Sequence, residues 1–151
     1  MWCDLHRGHP SDMSTTLPTT DQPGYAYAGR LLDALARQDF ATLGDALDDD
    51  VHLRALVTRG LVELHGSDAV VAKFRYWFGD TDDFDLLDAT IGEVAGRLHL
   101  SWRVRLRAPR LGEGWRVVEQ QTYVANGESG RIARLDLLCT GYITVGKELV
   151  P

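Results

Sequence analysis

Leu98-His99-Leu100-Ser101-Trp102-Arg103-Val104-Arg105-Leu106-Arg107 alternates apolar and polar side chains without a break. A period of two sends the leucines, Trp102 and Val104 to one face of a strand, and the histidine, serine and arginines to the other. One dry face and one wet face mark an antiparallel sheet that covers a core on one side only. Downstream, Pro109 and Leu111-Gly112-Glu113-Gly114 make a turn, and Trp115–Val124 returns as a strand. Asn126-Gly127 and Ser129-Gly130 turn the chain again. Arg131–Thr144 then reads as the last long strand.

Upstream of this meander the period changes. Phe84–Val94 holds a further strand behind the acidic stretch Asp80–Asp83. Val70, Val71, Phe74, Trp77 and Phe78 form the apolar face of a helix opened by Gly66-Ser67, with Ser67 as the expected N-cap, and closed by Gly79-Asp80. Val51, Leu53 and Ala55 alternate with His52 and Arg54, and Leu61–Leu64 reads as a short returning strand. Ala28, Leu31, Leu32 and Leu35 make a helical stripe. Asp39 caps a second short helix with Phe40, Leu43 and Leu47 inward, and Asp48–Asp50 is expected to be a loop. Helices followed by a run of strands predict the α+β class, with helices packed on one face of a curved sheet.

Composition bounds the function. The chain has 151 residues and a formal charge of −6, which suits one domain and argues against a nucleic-acid binder. No apolar run reaches the length of about 18 residues that would span a bilayer, so no membrane partner is expected. Residues 1–24 read as a flexible leader with no apolar signal segment, residues 25–145 as the domain and 146–151 as a tail. Met13 is an alternative start. Cys3 and Cys139 are too few for a disulfide framework, so a reducing cytoplasmic setting is expected.

The order and local motifs resemble the NTF2-like superfamily, specifically its SnoaL-like branch. The matching pieces are Leu31–Asp39 followed by Phe40–Leu47, then His65-Gly66-Ser67-Asp68-Ala69-Val70, then Asn126–Leu137 with its Gly130-Arg131-Ile132 restart. The resemblance covers about Tyr25 to Thr144. It implies a cone-shaped, curved antiparallel β-sheet, a half-barrel, wrapped around the N-terminal helices and enclosing one apolar pocket. It also implies a homodimer through the outer sheet face. Members of the superfamily include ketosteroid isomerases, polyketide cyclases, dehydratases, epoxide hydrolases and non-catalytic binding modules, so the fold does not give the function. The isomerase positions fall near Ala55, Gln121 and Leu31, and the epoxide-hydrolase position near Leu137, one residue from Asp136. Neither catalytic set is complete.

The landmarks put Glu119, Gln121 and Tyr123 inward on the strand after Trp102, and Leu135, Leu137 and Cys139 inward on the last one. Gln121 and Tyr123 are the expected polar pair, able to bind a carbonyl and stabilise an enolate. Glu119, His65 and Asp136 are the candidates for moving a proton. Asp136 is expected to face outward and pair with Arg103 or Arg105, unless a bulge turns it inward. Trp102, Trp77, Phe74, Tyr27, Leu53, Leu137 and Cys139 are expected to line the pocket. Core filling and pocket lining are alternative readings of this aromatic set. His52 and His99 fall on the wet face. No ligand spacing indicates a metal, and no cofactor is called for. Two functions follow: a cofactor-independent cyclase, isomerase or dehydratase acting on a small hydrophobic, carbonyl-containing, polyketide-like molecule, or a non-catalytic module for small-ligand binding or dimerisation.

Overall fold

The computed structural model describes residues 23–145. The expected leader and tail lie outside this range, except that Pro23 and Gly24 already belong to the first helix. In chain order the elements are α1 (Pro23–Ala36), α2 (Phe40–Asp45), β1 (Leu47–Val57), β2 (Gly60–His65), α3 (Ser67–Phe78), β3 (Asp83–Val94), β4 (Arg97–Arg107), a 3-10 turn at Pro109–Leu111, β5 (Arg116–Asn126), β6 (Ile132–Cys139) and β7 (Ile143–Thr144). The class is α+β, with the three helices against a curved, unclosed sheet.

The strand order is β2-β1-β6-β5-β4-β3, with β7 beside β5. The expected all-antiparallel sheet is corrected at one place: β1 and β6 run parallel, with Leu53 opposite Leu135 and Ala55 opposite Leu137. Asp48–Asp50 belong to β1 rather than to a loop, and Leu47 opens that strand instead of closing α2. A register irregularity between Leu47 and His52 on the β6 side accommodates this acidic run. The last strand also divides. Gly141 takes φ +83, and a Cβ there would come within 2.7 Å of Thr58 Cγ2. The chain therefore leaves β6 after Cys139, and β7 pairs with the start of β5.

Local chemistry sets the helix ends. Asp39 accepts from the Thr42 amide at 3.1 Å and from its hydroxyl at 2.8 Å, satisfying a free donor of α2. These bonds hold the Asp39 carboxyl below the usual carboxylate range. Its contribution is therefore complete above the unfolded value near 3.9 and is lost as pH falls through the lowered folded value. Asp39→Ala is expected to lower the urea midpoint at pH 7 with an unchanged slope. At pH 2 the difference from the parent should shrink. At α3, Gly66 rather than Ser67 occupies the N-cap, with no side-chain cap. At the other end of α3, the Trp77 carbonyl accepts from Arg110 Nη2 at 2.7 Å and from the Tyr142 hydroxyl at 2.5 Å. Burial pushes the Tyr142 phenol up to about 12.

The core lies between the helices and the inner sheet face. Leu31 and Leu35 of α1 and Val70, Phe74 and Phe78 of α3 meet Leu53 of β1, Leu100 and Trp102 of β4 and Leu135 of β6. All of these are fully buried or within 1 % of it. No helix among the described residues is long and apolar enough to cross a membrane.

Candidate functional site

Antiparallel pairing decides what faces the cone. Trp102 stands opposite Gln120, Leu100 opposite Thr122 and Leu98 opposite Val124. Opposed residues share a face, so Val118, Gln120, Thr122 and Val124 point inward, and all four are buried. The expected inward set of Glu119, Gln121 and Tyr123 is thus one residue out of register and lies on the outer face.

Inside, the Trp102 indole donates to Gln120 Oε1 at 3.0 Å, and Gln120 Nε2 donates to Cys139 Sγ at 3.3 Å. Gly141 N–H reaches the same sulfur at 3.4 Å. The Thr122 hydroxyl donates to the Tyr123 carbonyl at 2.9 Å. Among the described residues, Gln120 and Thr122 are the polar residues buried as a whole, and both are satisfied within the protein, whereas the buried hydroxyl of Tyr25 on α1 has no hydrogen-bond partner. Aromatic side chains pack beside them: Phe74 meets Trp77 edge-on at 5.4 Å and lies 6.3 Å from Trp102. Trp102, Phe74 and Gln120 expose at most 1 % of their surface. The residues expected to line a pocket, namely Trp102, Trp77, Phe74, Leu53 and Leu137, are core here. Cys139 is half-buried at its margin, and Tyr27 is partly buried under Arg30 (4.7 Å).

The outer face gathers the remaining candidates. One row across the strands reads Glu63, Arg54, Asp136, Tyr123, His99. Asp136 faces outward as the simple alternation requires, but its partners are not Arg103 or Arg105. It accepts from Arg54 Nε at 3.0 Å, Arg134 Nε at 3.2 Å and Arg97 Nη2 at 3.4 Å. The parallel β1–β6 register brings Arg54 to it. Partial burial pushes the Asp136 carboxyl up, while the hydrogen bonds and charges of Arg54 and Arg134 pull it further down, so it sits below the ordinary carboxylate range. A lowered carboxylate stabilises the fold fully above the unfolded value near 3.9 and loses that contribution as pH falls through the folded value. Asp136→Asn is expected to lower the urea midpoint at pH 7 and to flatten the acid limb of the stability profile below pH 4. An unchanged acid limb would remove Asp136 from that role.

Tyr123 carries Arg97 over its ring at 5.1 Å and the His99 ring edge-on at 5.0 Å. His99 Nε2 lies 3.0 Å from Gln121 Oε1. Glu119 stands apart, 3.7 Å from Arg103, and His65 lies at the β2 edge, stacked on His52. Gln121, Tyr123 and Asp136 therefore share one surface, while Glu119 and His65 sit at different ends of it.

A second feature of this face was not singled out from the sequence. Leu61 is opposite Leu56, and Leu56 is opposite Leu138. They form a contiguous apolar row, 65 %, 52 % and 51 % exposed. With Arg54, Tyr123 and Asp136 they line a groove of about 380 Å3. The signal was present, since three leucines occupy wet-face positions of their strands. Pairing them required the parallel register. Among the described residues, no group of three or more His, Cys, Asp or Glu is arranged to enclose a metal ion.

No family model matches the sequence, and no curated protein matches it. Solved structures do. The chain is similar to a provisionally named SnoaL-like polyketide cyclase from Shewanella denitrificans, with 15 % identity, TM-score 0.60 and coverage of 77 % of this chain and 89 % of that one. It is similar to an NTF2-like protein of unknown function from Exiguobacterium, with 17 % identity, TM-score 0.57 and coverage of 76 % and 98 %. It is also similar to a LEH-like epoxide hydrolase from M. tuberculosis, with 18 % identity, TM-score 0.57 and coverage of 78 % and 82 %. At these identities the likeness shows the fold alone, an α+β fold shared with these NTF2-like and SnoaL-like structures.

Proposed function

We propose that this NTF2-like chain is a non-catalytic assembly module whose outer sheet face receives a second copy of itself. The exposed leucine row Leu61–Leu56–Leu138 carries the reading. A contiguous apolar strip on a face otherwise dressed in charge is the usual mark of an interaction surface. The arginines of this face are paired within it. Each outer-face arginine of the sheet has a carboxylate within 4 Å on the same face: Asp136 serves Arg54, Arg97 and Arg134, while Glu119, Asp85 and Asp83 serve Arg103, Arg105 and Arg107. Counted this way the face sets six arginines against four carboxylates, and three of the six share Asp136 beside the leucines. A self-complementary two-fold contact buries one patch against its own copy, so the leucines and not the charges carry this reading.

The enzymatic alternative draws its support from the fold. The provisionally named cyclase and the epoxide hydrolase share it, and an enzyme of this kind would act on a small hydrophobic carbonyl compound without a cofactor. It would need an acid–base group facing a cavity. The inner face offers an amide, a hydroxyl and an indole, each already engaged.

Sedimentation equilibrium of the full chain across a hundredfold concentration range tests the assembly reading. A dimer is expected. A chain that remains monomeric at every concentration would end it.

A further inference from the structure

We propose that His52 and His65 chelate a divalent transition-metal ion on the outer rim of the β1–β2 hairpin. The two residues are direct cross-strand partners and point to the same side of the sheet. Their rings lie face to face, 4.3 Å apart and 6° from parallel. Imidazole nitrogens bind zinc-like ions at about 2.0–2.1 Å, so two neighbouring ligands stand roughly 3 Å from each other. Imidazole lone pairs lie in the ring plane, so to meet at one ion both rings turn out of this stack about their side-chain torsions. β1 is also held from its other side, where His52 lies opposite Arg134 on β6.

A second observation points the same way. Glu63 Oε2 lies 3.0 Å from His52 Nε2. A carboxylate accepting one ring N–H leaves the other nitrogen, Nδ1, as a lone-pair donor. Metal-bound histidines are oriented in this way by a carboxylate behind the ring. Glu63 thus holds His52 in the ligating tautomer, and water completes the ion's coordination. Two imidazoles favour nickel, copper or zinc over magnesium or calcium. Arg54 and Arg134 are the cations facing the pair, and both direct their guanidinium groups to Asp136. The site does not depend on the assembly reading, because it lies two residue rows from the leucines.

Calorimetric titration of the full chain with zinc, nickel and copper chlorides, one ion at a time, tests the site. One-to-one binding is expected. His65→Asn and His52→Asn should each weaken it by about tenfold or more, or 1.4 kcal/mol per tenfold. Glu63→Gln should weaken it by about tenfold while keeping the stoichiometry, and His99→Asn should leave it unchanged. Affinity should fall with decreasing pH, because only neutral imidazole ligates. Absence of binding by all three ions would overturn the proposal. So would binding that survives in both His52→Asn and His65→Asn, since the ion would then be held elsewhere in the chain, where Cys3, His6 and His9 offer other donors.

Discussion

Trp102→Ala is expected to destabilise the fold by about 3–5 kcal/mol, the range for truncating a large buried aromatic. A domain of this size has on the order of 5–15 kcal/mol in total, so much of the cooperative transition should disappear near physiological temperature. Two losses add. The indole is 1 % exposed and sits near Phe74, so its removal leaves a void in a packed interior. Gln120 Oε1 also loses its donor, and an unpaired buried acceptor costs about 1–3 kcal/mol. Trp102→Phe separates the terms, because it keeps most of the ring and forfeits the hydrogen bond. It should cost less than half as much. Urea unfolding with a constant slope measures both. Indole added to Trp102→Ala should raise its midpoint by occupying the void, as apolar cavities accept apolar guests. The parent should not respond. A Trp102→Ala protein of near-parental stability, together with a parent stabilised by indole, would mean that the cone holds a pocket after all.

Much of the fold was legible because it is written in local periodicity. The Leu98–Arg107 alternation predicts β4, with its dry face as observed. The helical stripes at Leu31–Leu35 and Val70–Phe78 predict α1 and α3, and Asp39 announces α2 through its cap. The parallel pairing of β1 with β6 was not legible. These strands are some 80 residues apart, and no residue within either names its partner. Asp48–Asp50 misled for a related reason. Three consecutive carboxylates oppose strand formation locally, but β6 and the irregularity beside it recruit them into β1.

The inward placement of Glu119, Gln121 and Tyr123 failed on register. β5 has two alternating sets, Val118-Gln120-Thr122-Val124 and Glu119-Gln121-Tyr123, and each mixes polar with apolar side chains. Period alone cannot choose between them, and a single-residue slip exchanges the faces. The eight residues between β4 and β5 leave that slip open. Desolvation gives the physical preference that was available: Glu119 facing the core would be an unpaired buried charge, whereas Gln120 can be satisfied by Trp102. Asp136 shows the reverse case. Its outward direction followed from the alternation, while the identity of its arginines depended on the hidden parallel pair.

Leu138→Glu is expected to abolish self-association while leaving the monomer folded. Leu138 is half exposed on the outer face of a central strand, so the isolated chain has little to lose there, within about 1 kcal/mol for a strand surface position. In a two-fold assembly the change occurs twice. Each copy would bring a carboxylate against the Leu56 and Leu61 row of its neighbour, and an unpaired charge taken from water into an apolar contact costs several kcal/mol. Arg54, Arg97 and Arg134 share the one carboxylate of Asp136, so Leu138→Lys, which none of them can pair, is the companion variant and should weaken the dimer at least as much. The dimer dissociation constant should therefore rise by about a thousandfold or more, since each tenfold is 1.4 kcal/mol. Leu61→Glu, at the exposed end of the row, should act in the same direction with a smaller effect. Sedimentation gives the association constant, and circular dichroism melts give the fold. A Leu138→Glu chain that dimerises as tightly as the parent would move the contact away from this face. One that fails to melt cooperatively would leave Leu61→Glu to decide the matter, because Leu61 lies on the edge strand and is 65 % exposed.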